Sequence, residues 1–77
     1  MNKARRKWLE DIYNRLEVLK DELENISAEE QDAYDNLPEG IQDSERGDVM
    51  EENVSDIDDA ASSIEEIMDT IQDIIDR

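Results

Sequence analysis

Apolar residues recur at alternating three- and four-residue steps through two stretches of this chain, and that spacing leaves few folds open. Leu9, Ile12, Leu16, Leu19, Leu23, Ile26, Ala33 and Leu37 make the first series, with Glu30 its one polar member. Met50, Val54, Ile57, Ala61, Ile64, Met68, Ile71 and Ile75 make the second. A mean period of about 3.5 residues keeps one helix face apolar, whereas a strand would need a period of two. Trp8, Tyr13 and Tyr34 flank the first stripe. Ala60, Ile67 and Ile74 add a further column to the second, which is more than a two-helix seam requires.

The only proline and both glycines fall between the stripes, in the segment from Asn36 to Gly47. Pro38 disfavours helical geometry at Leu37. Gly40 suits a turn that needs positive φ. Ser44 can cap a following helix, with Glu45 and Asp48 well placed in its first turn. The spacing therefore predicts an all-α chain, one domain over residues 1–77. It has a helix at about 3–35, a loop at about 36–43 and a helix at about 44–76. Each helix would be roughly 50 Å long. Equal helices joined by a short loop fold back as an antiparallel, coiled-coil-like hairpin. The surplus column would stay wet in a lone hairpin, so a homodimeric four-helix bundle is expected.

Charge is uneven. The chain has 24 acidic and 8 basic residues, a formal net charge of −16. Lys3, Arg5, Arg6, Lys7, Arg15 and Lys20 lie in the first 20 residues; the remaining 57 carry 21 acids and only Arg46 and Arg77. Folding back would set the basic start beside Glu65, Glu66, Asp69, Asp73 and Asp76. Most of the surface would repel nucleic acid and anionic membranes and attract a basic partner.

The segment Asn36-Leu37-Pro38-Glu39-Gly40-Ile41-Gln42, then Ser44-Glu45-Arg46-Gly47 and Met50-Glu51-Glu52, resembles a family of small acidic helical proteins of bacterial phages and mobile elements. The start, Asn2-Lys3-Ala4-Arg5-Arg6-Lys7, is similar too. Family members usually have serine where this chain has Gly40. The resemblance implies a two-helix fold and a phage or mobile-element source, and with that a place in the bacterial host cytoplasm. Such a source makes an inhibitor of host defence a natural expectation, by analogy.

Catalysis is not expected. Histidine and cysteine are absent, so the serines have no imidazole to activate them and no thiolate can act. Two helices offer no apolar pocket in which to shift a carboxylate. Asp56-Ile57-Asp58-Asp59 has the look of a calcium loop but lacks its glycine and later glutamate. No metal, cofactor or catalytic residue is assigned. The basic start could touch nucleic acid, but reads more simply as a helix end paired with acids.

The sharpest feature lies between Gly47 and Asp76, where acids are dense and no Lys or Arg occurs. Exposed helices ordinarily mix signs, since like charges repel. With Glu45, 12 acids spread over about 50 Å, or roughly one per 4 Å, against about 3.4 Å between phosphates of a DNA strand. The leading expectation is an anti-CRISPR or anti-restriction inhibitor. Through Glu51, Glu52, Asp56, Asp59, Glu66 and Asp73 it would imitate DNA and occupy a basic surface of a host nucleic-acid enzyme. The alternative is an adaptor that docks a partner helix through Ala60, Ile67 and Ile74, its acids serving only as a solvated surface.

Overall fold

A computed structural model describes residues Met1–Arg77. Helix α1 runs Lys3–Asp35, a one-turn helix α2 runs Glu39–Gln42, and α3 runs Glu45–Ile75. The two long helices pack antiparallel into a rod of 59 × 14 × 12 Å. No helix is long and apolar enough to cross a membrane.

The helix bounds follow from local chemistry. Asn2 caps α1 by accepting from the Arg5 amide at 2.8 Å. Asp35 is the last residue of α1, three residues ahead of Pro38. The Gln42 side chain donates to the carbonyls of Tyr34 and Asp35 at 3.2 and 3.4 Å, adding to the Leu37 amide already on Tyr34 at a helix end short of partners.

Two expectations for the loop need correction. The segment 36–43 is not simple coil, because Pro38 starts α2 and its carbonyl accepts from the Ile41 and Gln42 amides. Gly40 sits inside that turn without positive φ, and a Cβ there would meet nothing within 4 Å. The glycine that matters is Gly47. It is buried in the first turns of α3, and a Cβ built on it would lie 2.0 Å from the Gln42 carbonyl oxygen. Backbone packs on backbone there, and α2 is folded down onto α3. Ser44 occupies the N-cap position of α3 with extended φ and ψ. Its hydroxyl donates back to the Ile41 carbonyl and does not receive the α3 amides. The end of α2 has claimed it.

The seam also departs from the expected one. On α3 it is the expected series, with Ala61 and Met68 buried. Apart from Ile12, which is also half-buried near the start, the residues turned inward are Arg6, Leu9, Tyr13, Leu16, Lys20, Leu23, Ser27, Glu30 and Tyr34 on α1 and Leu37 just beyond it. These step three, four, three, four throughout. The leucine column is shared with the expected series. The second column is Tyr13, Lys20, Ser27 and Tyr34, not Ile12, Leu19, Ile26 and Ala33. Ser27 is 5% exposed and donates to Asp58 Oδ1 at 2.6 Å across the interface. Lys20 takes a seam place where its methylenes can lie along α3 while the ammonium reaches water.

Candidate interaction surfaces

The contacts across the seam set the register. Ser27 meets Asp58, the Asn53 amide donates to Glu30 at 2.8 Å, and Glu10 and Tyr13 lie with Gln72 and Ile75. Written as heptads with Leu9, Leu16 and Leu23 at d and Ala61 and Met68 at a, Ile12, Leu19, Ile26 and Ala33 are g positions of α1. Ala60, Ile67 and Ile74 are g positions of α3. In an antiparallel pair, g positions face g positions and e positions face e positions. Both surplus apolar columns therefore open onto the same side of the hairpin. Ile12 is level with Ile74, Leu19 with Ile67, and Ile26 with Ala60.

Exposure agrees with this arrangement. Leu19 is 49% exposed, Ile26 50% and Ile67 52%. Trp8 and Val49, at the neighbouring c positions, extend the same side toward either end, and both are exposed. Met1, Trp8, Leu9 and Ile12 line a shallow apolar hollow with Arg5 at the start of α1. The result is one broad apolar face two helices wide.

The opposite side carries the e positions and is acidic. Glu17 is level with Glu65, and Glu24 with Asp58. Glu51 sits near the loop end of this side, against Tyr34. There, hydrogen bonding to the Glu51 carboxylate, loss of solvent, and repulsion by Glu51, Asp43 and Asp48 raise the Tyr34 phenol above its ordinary pKa of 10.0. A phenol that ionises less readily when folded contributes stability below its unfolded pKa. That stability is lost as pH rises through the higher folded value. Ultraviolet titration of the native protein should show a phenolate step above pH 10 that Tyr34→Phe removes. A Glu51→Gln protein in which the Tyr34 step stays where it is would contradict the contact.

The six acids singled out from the sequence do not form one patch. Glu52, Asp59, Glu66 and Asp73 fall seven residues apart at f positions, in a column along the back of α3 with a rise of about 10 Å between members. Glu51 belongs to the acidic side facing α1. Asp56, at a c position, borders the apolar face. Of the apolar trio, Ala60 and Ile67 are exposed and Ile74 is half-buried. What sequence reasoning missed is that α1 supplies half of the apolar face. The signal was present: Tyr13, Lys20, Ser27 and Tyr34 also lie seven apart, and only one of two adjoining columns can face α3.

The basic start is displaced from its expected partners. Ile75 lies level with Glu10 and Tyr13, so residues 3–7 project about two turns past the end of α3. The acids from Glu65 to Asp73 therefore lie further along the rod than Lys3 and Arg5 reach, and of the expected partners only Asp76 stands level with the start of the overhang. Arg6 folds inward and its Nε is buried without a hydrogen-bond partner. No group of three or more acids converges as a metal site. Comparison with protein-family models, with curated proteins and with solved structures yields no match for this chain.

Proposed function

We propose that this protein is a non-enzymatic inhibitor of a host nucleic-acid enzyme of the defence type, a CRISPR effector or a restriction enzyme. It acts by covering a basic surface with its acidic one. The observation that carries the reading is the distribution of acids. They line the e side and the back of α3, leave its g side apolar from Ala60 to Ile74, and are free of interspersed cations after Arg46. Two copies pairing through the apolar faces would form a four-helix bundle, bury those faces and leave acids on the outside. Such a bundle has the width of two helices in each direction, roughly 20–24 Å, comparable to a nucleic-acid duplex. Competition is steric and electrostatic, so association is fast and weakens steeply with salt.

The test is protection of phage or plasmid in bacteria carrying an active defence system. The wild-type chain is expected to raise survival by about a hundredfold or more. Reversing Glu52, Asp59 and Glu66 to Lys should abolish protection, since each close charge pair contributes on the order of 1.5 kcal/mol or more at a steered interface. The three sites lie on the back of α3, so helicity should be unchanged. Full protection by the reversed protein would refute a charge-based mechanism.

A second reading has its own observation. The apolar face lies open along both helices, which suits an adaptor that docks a partner helix. In that case the charge reversals leave binding intact, and the complex persists at high salt.

A further inference from the structure

The pairing of copies proposed above leaves one question open: two hairpins can meet face to face with their loops at the same end or at opposite ends. We propose that the second copy docks on the apolar face with its loop at the opposite end. The basic overhang of each copy then lies against the acidic loop end of the other.

The argument starts from the rod's polarity. One end is the overhang with Lys3, Arg5 and Lys7, where Glu10 is the acid that shares a hollow with Lys3, Arg6 and Lys7 and is outnumbered by them. The other end carries Asp32, Asp35, Glu39 and Asp43 around the loop, with Arg46 the only cation near them. Placing loops together crowds those acids at one end and both overhangs at the other, and like charges this close repel. Opposed loops replace both repulsions with attraction.

Dimensions agree. The face from Ile12 to Ala33 is about 30 Å long and two helices wide, roughly 600 Å² on each copy. That is slightly below the approximately 800 Å² per partner of a stable interface. Centring the apolar rungs of two opposed copies brings residues 3–7 level with the partner's loop, which adds the missing area. It also lays Trp8, 65% exposed, at the end of the partner's face that carries Val49, 49% exposed. The overhang is longer than its own hairpin needs and suits the length of an opposed copy. Only four of 77 residues are buried in the single hairpin, and a second layer supplies the core it lacks.

The chain has no cysteine, so Ala4→Cys, at an exposed position on the back of α1, gives a single spin-label site. Opposed loops place the two labels on the order of 55 Å apart; loops together bring them within about 25 Å. Light scattering on the same sample reports whether the dimer exists. The expected result is a dimer with the long distance. A dimer with the short distance overturns the opposed arrangement while leaving the pairing intact, and a monomer at micromolar concentration overturns both. As a second measurement, Lys3→Glu with Lys7→Glu should weaken dimerisation about tenfold at low salt. An unchanged dissociation constant would remove the role given to the overhang.

Discussion

Gly47→Ala is expected to lower the unfolding free energy by about 2–3 kcal/mol, read from urea or thermal denaturation followed by circular dichroism. Alanine is the better helix former by about 1 kcal/mol, so intrinsic propensity alone predicts the opposite sign. Geometry decides the outcome. The added methyl would lie 2.0 Å from the Gln42 carbonyl oxygen, 2.7 Å from its carbonyl carbon and 3.0 Å from its Cα. These are backbone atoms and cannot rotate away as a side-chain tip would. The α2 turn must lift from α3, carrying with it the Gln42 side chain that bonds to the end of α1. A domain of this size has a total stability of only about 4–12 kcal/mol, so the loss is a large fraction. Gly40→Ala is the control. Nothing lies within 4 Å of the new methyl, and stability should hold or rise by up to about 1 kcal/mol. Equal stability of Gly47→Ala and the parent protein would show that α2 does not pack as described.

In the proposed dimer, Ile67→Asp is expected to weaken pairing by at least about a hundredfold, so that light scattering at micromolar concentration gives a 9.0 kDa species. Burying an isoleucine contributes about 1.5–3 kcal/mol, and a two-fold dimer loses it twice. A carboxylate facing a second acidic chain adds desolvation and repulsion. The hairpin itself should tolerate the change, because Ile67 is already 52% exposed and makes no seam contact of the kind Ala61 and Met68 make. Leu19→Asp, level with it on α1, should act alike; α3 alone would not predict that. Retention of dimer mass by both variants would remove the apolar face from the interface. Charge reversal, not this substitution, separates the two functional readings. An acidic mimic loses activity on charge reversal at Glu52, Asp59 and Glu66, and an adaptor keeps its binding.

The two halves of the surface differed in how far they could be read ahead. The surplus column of α3 was legible because Ala60, Ile67 and Ile74 stand beside a seam that is apolar at every position after Gly47. On α1 the reading inverted. Hydrophobicity favours Ile12, Leu19 and Ile26 over Tyr13, Lys20 and Ser27 for the inner column, yet the polar set turns inward. Two overlapping heptads share Leu9, Leu16 and Leu23, and a residue-by-residue score cannot tell which neighbour of a shared column meets α3. The acidic column at Glu52, Asp59, Glu66 and Asp73 was legible as a helix back. The acidic side built jointly by Glu17, Glu24, Asp58 and Glu65 was not, since it depends on which flanks the two helices turn toward each other.

Spacing along the chain was sufficient for the helices, their ends and the antiparallel return. Those are local matters: which residues repeat, where proline interrupts, and how short the connection is. The close approach of Gln42 to Gly47, the choice of the tyrosine, lysine and serine column as the seam, and the projection of residues 3–7 past α3 belong to tertiary structure. Each depends on how far α2 carries the chain before α3 begins. That length sets the register between residues more than thirty positions apart, and no local pattern encodes it.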